Sequence, residues 1–166
     1  MSVRIRKMTE AEYEYFYQWS VEQHTRELME ELQLSKEDAF KETLEEVSEM
    51  LPDGINTQNN YLMSIVESET EEVVGFIWTL HEEYEGRKQS FICDLAIWEP
   101  RRRKGYAEET LYLTQKNAQE AGCQESLLFV NDVNKAAEAL YVKCGYEILR
   151  QESYGKFMIK QFVGEE

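Results

Sequence analysis

The sequence predicts an α/β domain in which two early helices precede a strand-rich remainder. Three observations carry this. From Thr9 to Leu51 apolar residues recur every three or four positions, the period of a buried helix face. After residue 60, runs of β-branched and aromatic residues separated by turn residues take over. Beyond Trp98, strand and helix patterns alternate, as they do when helices cover a sheet. A length of 166 residues and a hydrophobic fraction of 42% suit one domain with a real core, residues 1–166, with no repeat or linker.

Val3-Arg4-Ile5-Arg6 alternates and opens the chain as a short strand. Thr9-Glu10-Ala11-Glu12 has capping-box spacing, in which a threonine and a glutamate three residues on satisfy each other's backbone amides. The helix that follows carries Tyr13, Phe16, Tyr17, Ser20, Val21, His24 and Leu28. Ser35 to Asp38 caps a second helix with Phe40, Leu44, Val47 and Leu51 on one face, stopped by Pro52-Asp53-Gly54. Residues 61–66 and 73–80 read as strands of a hairpin, 81–89 as a polar loop, and Ser90–Trp98 as a third strand closed by Pro100. A helix over 105–119 ends near Gly122, and 126–130 is a short strand. The helix at 135–144 places Ala137, Leu140, Tyr141 and Cys144 on one face before Gly145 ends it. Residues 147–153 and 156–162 form a closing hairpin.

Charge excludes several functions. With 18 Lys and Arg against 33 Asp and Glu the net charge is −15, which repels nucleic-acid backbones and anionic membranes. Three cysteines without a CxxC pair support neither a disulfide framework nor a metal site. No signal peptide is visible and no segment has the length of a membrane span, so a cytoplasmic protein, monomeric or homodimeric, is expected.

The segment Asp94-Leu95-Ala96-Ile97-Trp98-Glu99-Pro100-Arg101-Arg102-Arg103-Lys104-Gly105-Tyr106-Ala107 departs from that acidic background. A strand runs into a tight turn with four consecutive cations and then into a helix. A helix N-terminus offers unpaired amides and the positive end of the macrodipole, so this arrangement forms an anion site, most naturally for a pyrophosphate. The glycine spacing of a dinucleotide fingerprint or a P-loop is missing.

Arg102-Arg103-Lys104-Gly105-Tyr106-Ala107 resembles the phosphate loop Arg/Gln-x-x-Gly-x-Gly/Ala of the GNAT superfamily of acyl-CoA-dependent N-acetyltransferases. Asn131 to Tyr146 is similar to that family's Asn-x-x-Asn-x-x-Ala…Leu-Tyr-x-Lys-x-Gly-Phe/Tyr segment. The resemblance covers residues 60–160, and residues 1–59 match in outline only. It implies a mixed, mostly antiparallel sheet of about seven strands with about four helices, splayed between strands 4 and 5, with acetyl-CoA in the cleft. Backbone groups of Ala96 and Ile97 would hold the thioester carbonyl. Amides of Arg102, Arg103, Lys104, Gly105, Tyr106 and Ala107 would hold the pyrophosphate. Asn134 and Ala137 would border the pantetheine arm, and Tyr141 would protonate the departing thiolate. By spacing alone Tyr141 reads as a core aromatic and Asn134 as an N-cap.

An alkyl amine is protonated at neutral pH all but about one part in a few thousand, so a base is needed. The resemblance implies one on the strand Ser90–Trp98. Strict alternation puts Phe91, Cys93, Leu95 and Ile97 on one face and Asp94 and Ala96 on the other, and Phe91 and Cys93 stand where relatives carry the base. Asp94 is the first candidate, followed by Glu99, His81, Glu82, Glu83 and His24. Cys93 reads as a small buried hydrophobe, which favours direct transfer over an acyl-enzyme. No metal is expected. The acceptor is a small-molecule or peptide amine, and acidic walls favour a cationic one: residues 1–60 hold 14 acidic and 6 basic side chains. The rival expectation is a non-catalytic module on the same fold, either an acyl-CoA sensor or an interaction protein.

Overall fold

The structure, a computed structural model, describes residues 2–162; Met1 and residues 163–166 of the expected domain lie outside them. The chain divides into two compact units, one of Met8–Asn60 and one of the rest.

The smaller unit holds α1 (Glu10–Leu32) and α2 (Lys36–Met50), which pack on each other. Both starts follow from local chemistry. The Glu12 amide donates to Thr9 Oγ1 at 3.2 Å, while Glu12 Oε1 accepts from the Thr9 amide at 2.9 Å. Ser35 accepts from the Asp38 amide at 3.1 Å. The buried stripe of α2 is Ala39, Thr43 and Val47, continued by Leu51. Phe40, expected on the inner face, is exposed instead. A row of residues four apart built on small side chains displaces the stripe by one position.

The larger unit is a seven-stranded sheet in the order β1-β2-β3-β4-β5-β7-β6. Its strands are β1 (Val3–Lys7), β2 (Asn60–Glu67), β3 (Val73–Tyr84), β4 (Arg87–Ile97), β5 (Glu125–Asn131), β6 (Glu147–Gln151) and β7 (Gly155–Gln161), with helices α3 (Tyr106–Glu120) and α4 (Lys135–Lys143). The sheet is mostly antiparallel, and β4 and β5 pair in parallel. One core cluster joins Ile77, Ile92, Leu128, Val130 and Met158 to Leu111 of α3, with Leu140 and Tyr141 of α4 against it. A second joins Val3, Ile65, Val74 and Ile97 to Tyr106.

Two expectations fail around β4. The expected loop 81–89 is strand on both sides of a two-residue turn, since Tyr84 pairs with Arg87. Glu85 and Gly86 have φ of 51° and 79°, the mirror-image turn whose twist matches a hairpin. Polar residues at an exposed hairpin end mimic a loop. The expected alternation along β4 fails as well. The register steps from Trp78↔Asp94 to Thr79↔Ile92, so Cys93 is the extra residue of a β-bulge. Ile92 and Leu95, three apart, therefore meet the same core cluster.

Candidate active site

Beyond that bulge the sheet opens. The β4–β5 ladder runs only from Gln89↔Glu125 to Ile92↔Leu128, although β4 continues to Ile97 and β5 to Asn131. The far side of β4 is held closely by β3: a Cβ on Gly75 would lie 2.0 Å from the Ala96 carbonyl oxygen. Glycine there lets the two backbones approach while the β5 side stays open. A cleft of about 410 Å³ lies at the end of β4, lined by Ile97, the loop residues 101–103 and 105, the first turn of α3, and Ala136, Leu140 and Lys143 of α4.

The loop divides its four cations. Arg101 pairs with Glu67 at 2.7 Å and with Glu72. Arg102 donates from Nε to the Ile97 carbonyl at 2.9 Å, folding the loop back onto the strand end. Among the described residues Arg103 and Lys104 form no ion pair, and both are exposed. Arg103 and Gly105 have φ of 65° and 77°. The backbone turns accordingly: the Arg101 and Arg102 amides bond to the carbonyls of Trp98 and Glu99, whereas the amides of residues 103–108 donate to no described residue. Gly105 is the N-cap and supplies no side-chain acceptor. The result is a run of unfilled donors at the positive end of a 15-residue helix beside two unpaired cations. The two acids of this turn are engaged: Glu108 pairs with Lys143 at 3.0 Å, and Glu109 accepts from the Val3 amide at 3.2 Å.

On the opposite wall, Asn134 caps α4 by accepting from the Ala137 amide at 3.2 Å. Asn134 is exposed and Ala137 packs on the core; neither lines the cleft. Tyr141 is half-buried, its ring edge-on to Tyr146 at 5.8 Å. Burial, then the neighbouring Tyr146 and Asp94, push its phenol well above the usual tyrosine range, so it stays protonated. Asp94 and Tyr141 are thus within electrostatic reach of one another. Lys156 of β7, almost wholly buried, grips both sides of this wall, pairing with Glu138 of α4 at 2.8 Å and with Asp132 of the preceding loop at 3.2 Å.

The other base candidates lie elsewhere. His81, Glu82 and Glu83 pair with Ser90, Gln89 and Lys88, at the end of β4 where it is still joined to β5. His81 is buried against the Tyr61 ring, and burial lowers its pKa. Glu99 is exposed beside Pro100, and His24 of α1 pairs with Glu27 at 3.3 Å. Asp94 is the one acidic residue of β4, placed where the ladder opens. Burial, followed by the charges of Asp94 and Glu82, pushes the Cys93 thiol far up, so it is a poor nucleophile.

Sequence reasoning missed the side chains that hold this site. Glu67, 6% exposed, accepts from Arg101 and from the Tyr106 hydroxyl. Lys143 and Lys156 tie α4 to α3 and to β7. For Glu67 and Lys156 the available signal was a charge at the end of, or inside, an otherwise apolar strand, which has to be paired to be buried.

Among the described residues no group of three or more His, Cys, Asp or Glu side chains could hold a metal, and no helix is long and apolar enough to cross a membrane.

Fold and cleft together define an α/β protein with a cationic loop at the open end of a split sheet. The chain matches the Acetyltransferase (GNAT) family over residues 9–146, and it belongs to that family. It is 28% identical over 146 residues to the uncharacterized N-acetyltransferase YdgE of Bacillus subtilis strain 168, covering 88% of this chain and 92% of that one. The crystal structure of YycN from Bacillus subtilis superposes with a TM-score of 0.84 at 23% identity, covering 98% of this chain and all of the other. A spermidine N-acetyltransferase from Vibrio cholerae, solved with CoA and spermine, gives a TM-score of 0.69 at 15% identity over 96% of this chain and 95% of that one.

Proposed function

We propose that the protein transfers an acetyl group from acetyl-CoA directly to an amine, with residues 1–166 acting as one catalytic domain. The observation that carries this is the run of unfilled amides at residues 103–108, flanked by Arg103 and Lys104, at the mouth of a cleft that leads to the open end of β4. A diphosphate is the ligand chemistry that fits it: two or three charges spread over oxygens that accept several N–H bonds at once. The roughly 410 Å³ of the cleft suits part of a long, flexible cosubstrate.

The remaining roles follow the reacting charges. The thioester brings an activated acyl carbon. The backbone N–H of Ile97, on the strand edge without a β5 partner, stabilises the oxyanion formed when the amine attacks, while Ala96 beside it turns its backbone to β3. Tyr141, kept protonated by its surroundings, donates its proton to the departing sulfur. Asp94 takes the proton shed by the amine, directly or through water. Asn134 and Ala137 act at one remove: the cap fixes the start of the helix that carries Tyr141. The high pKa of Cys93 supports one-step transfer rather than an acyl-enzyme.

The acceptor is an amine, preferentially a cationic one. Support comes from the net charge of −15, and from the structural neighbour whose name gives a polyamine substrate. A second reading, CoA binding without turnover, is favoured by one observation: β4 carries Phe91 and Cys93, and its single acid is Asp94. The test is release of CoA thiol with a panel of amines and acetyl-CoA. Amine-dependent release supports transfer. Binding of acetyl-CoA with no release for any amine supports the second reading.

A further inference from the structure

Four cations precede Gly105, yet the guanidinium of one of them, Arg101, is held by a carboxylate 34 residues earlier in the chain. Glu67 ends β2 and is almost fully buried. Its oxygens are used separately. Oε1 accepts from Arg101 Nη1 at 2.7 Å and from Thr70 Oγ1 at 2.8 Å, and Oε2 accepts from the Tyr106 hydroxyl. The second terminal nitrogen of Arg101 pairs with Glu72, whose carbonyl accepts from the Glu67 amide at 2.8 Å. Arg101 lies immediately before the segment 102–105 and Tyr106 immediately after it. Between these anchors stand the two left-handed residues, Arg103 and Gly105. Tyr106 is buried among Val3, Ile65, Val74 and Ile97, so its hydroxyl reaches Glu67 from a fixed ring.

Resting on the proposed binding of acetyl-CoA, we propose that Glu67 is a positioning residue for the phosphate cradle: one buried carboxylate clamps both ends of the loop and withdraws Arg101 from the ligand's cations. A loop of unpaired amides has no internal reason to hold its donors converged, so fixing it beforehand removes the ordering cost from ligand binding. The clamp also sets the sign of an experiment. Removing the charge of Glu67 makes the cleft more positive and leaves the Arg101 guanidinium beside it with Glu72 as its remaining carboxylate partner. If Arg101 were a ligand held in reserve, CoA would bind more tightly. If Glu67 positions the loop, CoA binds more weakly despite the gained charge.

Glu67→Gln and Tyr106→Phe are compared with the wild type. Tyr106→Phe removes one oxygen from a buried ring and supplies the test should Glu67→Gln fail to fold. Calorimetry with CoA should show a dissociation constant raised at least tenfold in each variant. The KM for acetyl-CoA should rise in step. Hydrogen exchange is measured on the ligand-free proteins at the Arg101, Arg102 and Glu109 amides, which bond to Trp98, Glu99 and Gly105. Exchange there should accelerate at least tenfold, with residues 126–130 of β5 unchanged. Unchanged exchange in the folded variants, or a lowered dissociation constant, overturns the clamp. Wild-type protein that binds no CoA overturns the cofactor reading instead, and the exchange measurement still decides the clamp.

Discussion

The chemistry assigned to this cleft depends on a few side chains whose surroundings set their protonation. Tyr141 packs against the core through its ring, and burial keeps its phenol protonated above the usual tyrosine range. Tyr141→Phe should leave CoA affinity intact and lower kcat by roughly ten- to several-hundredfold, in the range of general-acid contributions. Equal turnover would return the residue to a packing role. No alkaline limb of kcat from Tyr141 is expected below about pH 10, because its folded pKa lies above the reference value. Glu67 shifts the other way. Its hydrogen bonds from Tyr106, Thr70 and Arg101 hold it down to about 2 against a reference of 4.5. A carboxylate depressed on folding contributes stability that is fully present above the unfolded value and is lost as pH falls through the folded one. Urea-denaturation free energies of the wild type should therefore fall between pH 4.5 and about 2. Glu67→Gln should be less stable at neutral pH and lose less over that window, and parallel curves for the two proteins would contradict the shift. Gly105 needs its φ of 77°, yet a Cβ there meets nothing within 4 Å. Gly105→Ala should therefore cost about 1–2 kcal/mol of stability through backbone strain alone.

The elements place these residues through two devices, a close backbone approach and a buried ion cluster. Gly75 and the Ala96 carbonyl leave no room for a methyl group. Gly75→Ala must push β3 and β4 apart at the end that feeds the loop 101–105, so a loss of about 1–3 kcal/mol and weaker CoA binding are expected from denaturation and calorimetry. Lys156 joins β7 to α4 and to its leading loop. Lys156→Met should lower kcat about tenfold or more by shifting Tyr141, with a smaller effect on CoA affinity. Element order was legible in the sequence because periodicity, capping boxes and helix-stop glycines are local signals. The Thr9 and Ser35 caps and the Ala137–Cys144 face of α4 stand as expected. The bulge at Cys93 was not legible, since an extra residue is defined only against its partner strand, and the apolar run Phe91-Ile92-Cys93 equally fits a strand buried on both faces. The exposed end of the β3–β4 hairpin was hidden for a related reason: His81 to Tyr84 carry loop-like polarity but keep a ladder partner. In the candidate site, the cations and Gly105 were legible as a basic turn running into a helix start. Their division into an internal pair at Arg101, a backbone contact at Arg102 and two unpaired charges depends on Glu67 and Ile97, which the sequence does not bring together locally.

At the scale of the whole molecule, a net charge of −15 coexists with one run of four consecutive cations. The long-range field should attract a cationic amine while the local potential attracts a polyanionic cosubstrate, and salt screens exposed charges over about 8–10 Å. Raising the ionic strength should therefore lower kcat/KM for a polyamine acceptor and leave that for a neutral aromatic amine nearly unchanged. A neutral amine preferred at low salt would remove charge as the guide to the acceptor. The proposed activity stands on the cradle formed by residues 103–108, and backbone resonances report on it without reference to turnover. Isotope-labelled protein titrated with CoA and observed by amide NMR is the direct measurement. Saturable shifts of the amides of residues 103–108, with β6 unaffected, are expected at micromolar CoA, and Gly105→Val should abolish them. A titration to millimolar CoA that leaves those amides in place, or that moves another part of the sheet instead, would contradict the assignment.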